Sequence, residues 1–175
     1  MRIRDAEDAD LPAIVTIYNA AIPGRLATAD TAPVTVESRQ AWFAARDPQR
    51  RPIRVLELEG EIQGWISLKS FYEGRPAYDA TAEVSLYLAP TVQGQGWGGQ
   101  LLDGLIADAP RLGVEVLLGF LFAHNEPSQR LFRRRRFAEV GCLPAIARLD
   151  GIPRDLVILQ RTLVDPQPTC SSSSW

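Results

Sequence analysis

With 175 residues, 46% hydrophobic and 23% charged, the chain has the make-up of a globular protein of one domain with a substantial core. A formal net charge of −2 gives no electrostatic reason to bind nucleic acid or an anionic membrane. No apolar run approaches the roughly 20 residues of a membrane span, and Met1-Arg-Ile-Arg-Asp-Ala-Glu-Asp8 is mixed and polar rather than leader-like, so a cytoplasmic location is expected.

Ile3-Arg4 reads as the end of a short strand. Asp8 or Asp10 can cap the helix that follows, whose Leu11, Ile14, Val15 and Tyr18 recur at helical spacing, with Pro12 tolerated in the first turn. Pro23-Gly24 breaks it. After a loop over residues 24–34, Thr35 can cap a second helix carrying Trp42 and Phe43. Residues 53–58 and 62–69 flank Glu59-Gly60-Glu61, a hairpin signal, and residues 81–88 form the third strand of this antiparallel group. Pro90 and a glycine-rich stretch follow, then a helix with Leu101, Leu102, Leu105 and Ile106 on one face. Residues 114–121 are a continuous apolar run, read as a buried strand. A short helix over 127–135, a short strand over 137–140 and a last strand over 155–163 complete a single domain spanning 1–164. Residues 165–175, with two prolines and four consecutive serines, read as a disordered tail. The fold class expected is α+β, a mixed and mainly antiparallel sheet flanked by helices, with a strand–loop–helix–strand crossover at its centre.

Cysteines are two, Cys142 in a Gly-Cys-Leu-Pro turn and Cys170 in the tail, and form no disulfide framework. The single histidine, His124, excludes a His-rich metal site, and no metal is expected.

The chemistry is concentrated between Glu83 and Leu102. A strand, a glycine loop and a helix start bring bare backbone N–H groups and the positive end of a helix dipole to one place, which suits a phosphate. A P-loop is excluded, because it requires a Gly-Lys-Ser/Thr end and the only lysine in the chain is Lys69. The glycines satisfy a Gly-x-Gly-x-x-Gly pattern, but they follow antiparallel strands and no repeated βαβ unit supports a dinucleotide fold. A tight loop before a buried helix, with no ligand, is the plain alternative.

Gln93-Gly-Gln-Gly-Trp-Gly98 also matches the Gln/Arg-x-x-Gly-x-Gly/Ala pyrophosphate loop of the GNAT acetyltransferase superfamily, and Asn125-x-x-Ser128-x-x-Leu-Phe132 matches its second coenzyme A contact region. Further stretches narrow the resemblance: Ile17-Tyr-Asn19, Thr28-Ala-Asp-Thr31, Trp65-Ile-Ser-Leu68, Phe71-Tyr72, Arg75-Pro-Ala-Tyr78, Glu83-Val-Ser-Leu-Tyr87, His124-Asn125 and Asp150-Gly151. Over residues 2–163 the chain resembles the phosphinothricin and methionine sulfoximine N-acetyltransferases.

That resemblance implies acetyl-CoA as cosubstrate. Leu86, Tyr87 and Leu88 would present backbone groups to the thioester and pantetheine arm, with the Leu86 N–H as oxyanion donor. Gln93, Gly94, Gln95, Gly96, Trp97 and Gly98 would wrap the pyrophosphate, and Asn125 and Ser128 would meet the pantetheine arm or phosphates. Glu83 matches the acidic residue that serves as general base, acting through water; a surface or hairpin-paired carboxylate is its other reading. The acceptor's anionic group would meet Arg75, with Thr28, Tyr72, Tyr78, Asp79, Thr81 and Glu83 around it; a solvated loop arginine is the other reading of Arg75. The resemblance also implies a homodimer.

Departures from the pattern are specific. The tyrosine that protonates the leaving thiolate in many GNAT enzymes is Phe132 here, leaving solvent or Tyr87 as donors, or a thiolate that leaves unprotonated. Leu149, Asp150 and Pro153 stand where the herbicide-resistance branch has a lysine, a histidine and a tryptophan. Arg136-Phe137 replaces the usual Gly-Phe and ends a run of four arginines, which either approaches the adenosine 3′-phosphate or forms a solvated face. Another acceptor on the same fold (a polyamine, an aminoglycoside, a protein N-terminus) and a non-catalytic acyl-CoA sensor remain alternatives.

Overall fold

The computed structural model describes residues 1–164. Seven strands form one sheet: β1 (Arg2–Asp5), β2 (Ile53–Leu58), β3 (Glu61–Ser70), β4 (Thr81–Leu88), β5 (Val116–Phe122), β6 (Ala138–Leu149) and β7 (Ile152–Thr162). Their order is β1-β2-β3-β4-β5-β7-β6, and every neighbouring pair is antiparallel except β4–β5. Four helices flank it: α1 (Leu11–Ala20), α2 (Val36–Ala44), α3 (Trp97–Asp108) and α4 (Glu126–Arg133). The parallel step is the β4–α3–β5 crossover, since parallel neighbours need a long connection.

Strand alternation divides the apolar side chains between two cores. Ile66, Leu68, Val84 and Leu117 pack under α3 with Leu101, Leu102 and Leu105, and with Phe132 of α4. Ile53, Val55 and Trp65 point to the other face, under Ile14, Val15 and Ile17 of α1 and Phe43 of α2.

Local chemistry sets the element ends. Thr35 caps α2, its Oγ1 accepting from Ser38 N at 3.2 Å. Asp10 does not cap α1: its carboxylate accepts from Arg4 at 2.6 and 2.9 Å and from Glu7 N at 2.8 Å, tying β1 to the turn instead. Glu59 and Gly60, with φ of 53° and 87°, make the β2–β3 hairpin turn.

The C-terminal strands depart from the sequence reading. The expected strand over 137–140 runs from Ala138 to Leu149, and the last strand begins at Ile152 rather than Asp155. Asp150-Gly151, with φ of 49° and 80°, is a two-residue turn that pairs them as one long hairpin. Gly141 and Pro144 break the alternation that marks a strand, and the sheet accommodates them as register shifts after Glu139 and Leu143. Asp155 steadies the second shift by accepting from Ala145 N at 2.7 Å. Cys142 is exposed with a free thiol; Cys170 and the expected tail at 165–175 lie outside the described residues.

Candidate functional site

The fork in the sheet organises the site. β5 pairs with β4 only from Thr81 to Glu83, opposite Val116 to Leu118, whereas β3 pairs with β4 from Ala82 to Leu88. Residues 84–88 therefore have a free edge toward β5, and unpaired backbone polar groups there need another partner. Leu86, Tyr87 and Leu88 line a cavity of about 680 Å³ that opens at this fork.

The cavity's opposite wall is the start of α3. Gly94 and Gly96 have φ of 75° and 89°, and Gly96 is the N-cap. A Cβ at either would meet nothing within 4 Å, so glycine is required there by backbone conformation and not by space. Gly99 N donates to Gly96 O at 2.9 Å, which leaves the N–H groups of Trp97 and Gly98 ahead of the first helical bond, at the positive end of the dipole. Gln93, Gly94, Gly96 and Gly98 line the cavity; Gln95 and Trp97 do not. Gln95 Nε2 turns back to Thr91 O at 3.0 Å and Trp97 Nε1 donates to Gln95 Oε1 at 3.3 Å, so these two side chains brace the loop.

α4 supplies the third wall. Arg130, Leu131, Arg134 and Arg135 line the cavity beside Asn125, Pro127 and Ser128; Arg130 and Pro127 are the ones sequence reasoning missed, while Arg134 and Arg135 belong to the run expected either near a phosphate or on a solvated face. The signal was present, because Pro127, Leu131 and Arg134 share one helix face at i, i+4 and i+7. The arginine run is thereby divided. Arg133 turns outward to Glu139 at 2.6 Å, Arg135 pairs with Asp103 at 2.8 Å, and Arg134 faces the cavity. Arg136 adopts φ 61°, the left-handed conformation that glycine takes without cost.

Asn125 caps α4 through Oδ1, which accepts from Ser128 N at 3.2 Å, while its Nδ2 donates to Leu26 O at 3.0 Å. His124 Nε2–H donates to Arg25 O at 2.8 Å, which accounts for the only histidine as a positioning group. Arg25 also pairs with Asp150 of the β6–β7 turn at 2.9 Å. These bonds strap residues 20–27 over the large cavity, where Ala20, Gly24 and Ala27 line it. Phe132 lies in the core, edge-on to Phe137 at 4.9 Å and against Gly119, where an added Cβ would stand 2.8 Å from its ring.

On the α1–α2 face of the fork, three cross-strand pairs stand in a row. Trp65 and Tyr87 stack at 4.7 Å, Ser67 lies opposite Ser85, and Lys69 lies opposite Glu83 with Nζ 4.0 Å from Oε2. Burial raises the Glu83 carboxyl above its ordinary range, and Lys69 partly offsets this. A second cavity of about 180 Å³ sits over this row, walled by Tyr18, Trp42, Trp65 and Tyr87, with Ser67 and Ser85 on its floor and Arg39 and Lys69 at its sides. Tyr87 lines both cavities. Its hydroxyl donates to Ala27 O at 3.0 Å, and burial pushes its pKa up, so it is a neutral phenol.

The substrate residues expected from sequence are dispersed around this point. Thr28 is buried, with Oγ1 2.5 Å from Tyr18 Oη, which also donates to Asp30 at 2.6 Å. Thr81 opens β4 two residues before Glu83, on the same face. Tyr72 and Tyr78 are exposed and gather around Phe71, with Arg75 lying 5.8 Å from the Tyr72 ring centroid. Asp79 pairs with Arg50 at 2.5 Å. Among these residues Glu83 alone adjoins the fork, and none of the seven, Glu83 included, lines either cavity.

The strand order, the single parallel step and the fork at that step define the acyl-CoA N-acyltransferase fold. The model of the acetyltransferase (GNAT) family matches residues 12–137, and the chain belongs to that family. YwnH of Bacillus subtilis, provisionally named a phosphinothricin acetyltransferase, is 48% identical over 93% of this chain and 99% of its own. The L-methionine sulfoximine/L-methionine sulfone acetyltransferase of Pseudomonas paraeruginosa is 38% identical over 94% of this chain and 95% of its own. The crystal structure of a GNAT phosphinothricin acetyltransferase from Sinorhizobium meliloti in complex with acetyl-CoA superposes with a TM-score of 0.88 at 27% identity, covering 98% of this chain and 93% of that one. Among the described residues, no group of three or more His, Cys, Asp or Glu is placed to hold a metal ion, and no helix is long and apolar enough to cross a membrane.

Proposed function

We propose that this protein transfers the acetyl group of acetyl-CoA to the amino group of a small amino acid of the methionine sulfone, methionine sulfoximine or phosphinothricin class. The observation that carries this reading is the position of Glu83. It is the last residue of β4 paired with β5, so a carboxylate stands where the strand opens, next to Lys69 of the smaller cavity and four residues along β4 from Tyr87, which lines both cavities.

Acetyl-CoA fits the larger cavity in charge and shape. Its pyrophosphate would lie on the N–H groups of residues 93–98 at the α3 N-terminus, with Arg134 across from it. Its pantetheine arm would run past Asn125 and Ser128 to the free edge of Leu86, Tyr87 and Leu88. Glu83, through water, takes a proton from the acceptor's ammonium, because only a neutral amine has a lone pair to attack with. The amine nitrogen bonds to the thioester carbonyl carbon, and the oxyanion formed is held by the Leu86 N–H. Collapse expels the coenzyme A thiolate, and the amide loses its second proton to solvent. Phe132 cannot protonate the thiolate, and a phenol with a raised pKa such as Tyr87 is a weak acid, so the thiolate leaves unprotonated or takes its proton from water.

On the acceptor side, Arg75 with Tyr72, Tyr78 and Asp79 forms an open rim near Thr81 and Glu83, a setting for the acceptor carboxylate. The reading is tested by coenzyme A release with a panel of amines: methionine sulfone, methionine sulfoximine, phosphinothricin, spermidine, an aminoglycoside and a peptide. Turnover confined to the amino acids supports it. Tight acetyl-CoA binding without turnover on any amine would replace it with a sensor role.

We further propose a cytoplasmic homodimer. Leu143, Ile146 and Ile152 of the β6–β7 hairpin are exposed, an apolar edge that a second copy would cover. Light scattering of the full chain, giving twice the 19.3 kDa of one chain, is the expected result.

A further inference from the structure

The first turn of α3 meets α4 through glycine. A Cβ at Gly98 would stand 3.4 Å from Leu131, and a Cβ at Gly99 would overlap a terminal guanidinium nitrogen of Arg135, four residues further along the chain. Arg135 is held there from two sides. Its Nε and Nη2 donate to the two carboxylate oxygens of Asp103 at 2.8 and 2.9 Å. Asp103 lies one turn beyond Gly99 on the same face of α3. The Arg135 carbonyl oxygen accepts from Arg161 of β7 at 2.6 Å. Gly99 and Arg135 both line the larger cavity, and Asp103 does not.

Helix stability does not explain this arrangement. The start of a helix carries partial positive charge, so a cation is better placed at the other end. Gly99 sits in helical backbone with no left-handed φ to require glycine, and alanine is the better helix former. An anion in the cavity accounts for the glycine, the cation and the carboxylate together. We infer that Asp103 is a positioning residue for the cosubstrate, holding the Arg135 guanidinium in the space left by Gly99, beside the turn on which the pyrophosphate lies. The inference rests on the acetyl-CoA reading of the larger cavity above. Asp103 takes one edge of the planar guanidinium, and Nη1, which donates to Leu131 O at 3.3 Å, carries a second hydrogen.

Calorimetric titration with acetyl-CoA tests this without any acceptor. Asp103→Asn keeps the side-chain shape and removes the charge that orients Arg135, so affinity should fall about tenfold. Its Tm should barely move, because the Asp103 carboxylate is 60% exposed and such a pair adds little to folding. Gly99→Ala should also weaken binding about tenfold, while Tm stays level or rises. The added methyl displaces only the flexible end of Arg135. In an Arg135→Ala background the same Gly99→Ala change should weaken binding no further, because the group it displaces is gone. With S-acetylpantetheine, which lacks the phosphates, Asp103→Asn should match wild type in kcat/KM. Undiminished affinity in either Asp103→Asn or Gly99→Ala, with wild type binding acetyl-CoA, overturns the positioning role and leaves the acetyl-CoA reading intact. Additive losses from Gly99→Ala and Arg135→Ala, or an equal loss with S-acetylpantetheine, overturn it in favour of a general loosening of α3 against α4. Failure of wild type to bind acetyl-CoA overturns both readings.

Discussion

Lys69 Nζ stands 4.0 Å from Glu83 Oε2 across the β3–β4 ladder, at the last step before β4 parts from β5. Burial makes the charged carboxylate costly there, and the ammonium offsets part of that cost. A base held above the ordinary carboxylate range is better matched to taking a proton near neutral pH. The same pair borders the smaller cavity, which Lys69 lines.

Replacing Glu83 by Gln should lower kcat about a hundredfold with little change in the KM for acetyl-CoA. Stability should move the other way. A carboxyl whose pKa is raised by folding binds protons more readily when folded, so its ionised form costs stability above the unfolded pKa. Thermal unfolding of Glu83→Gln at pH 7 should therefore show an equal or higher midpoint, an outcome that a purely structural carboxylate would not give.

Lys69→Met tests the pair from its other member. Removing the cation takes away the influence that lowers the Glu83 pKa, so the acid limb of kcat/KM should shift to higher pH. A limb that stays in place would remove Glu83 as the titrating base.

Gly96→Ala addresses the turn that opens α3. At φ 89° the added methyl costs about 1 kcal/mol by backbone strain alone, since nothing lies within 4 Å of it. The loop should relax and misplace its N–H groups. The KM for acetyl-CoA should rise about tenfold, and the KM for the acceptor should not change.

Arg134→Ala should raise the KM for acetyl-CoA severalfold at low salt, with a smaller effect at high salt, as expected of an exposed cation facing phosphate. Repeating the measurement with 3′-dephospho acetyl-CoA decides which phosphate it meets. If the loss vanishes, Arg134 reads the 3′-phosphate; if it persists, the pyrophosphate is its partner.

Arg136→Gly should stabilise the fold. Arg136 follows α4 at φ 61°, where glycine has no Cβ to strain. A gain of about 0.5–1 kcal/mol, or a few degrees in Tm, is expected, with kcat unchanged.

The local elements were legible in the sequence because their causes are local. Thr35 at a helix start, Glu59-Gly60 between two strands and the glycines before Leu101 each act on their immediate neighbours, and the structure has each of these elements. The β6–β7 hairpin was misread for the same reason: Asp150-Gly151 is a strong turn signal, but Pro144 and Gly141 interrupt the alternation that would have revealed the strands on either side. Only pairing with β7 and β5 holds that irregular strand in place.

The site divides along the same line. The chain order of strand, glycine loop and helix, with Asn125 after the next strand, was determined by the sequence itself, because the backbone groups that shape that loop are close in sequence. Where β4 leaves β5, how helical spacing sorts Arg133 to Arg136, and that Ser67 and Ser85 share a cavity floor with Trp42 and Tyr18 were decided only in three dimensions. Residues 67 and 85 meet through strand register, and their cavity is roofed by helices from the N-terminal part of the chain. Such contacts come from packing at long sequence separation, where no local propensity reports them.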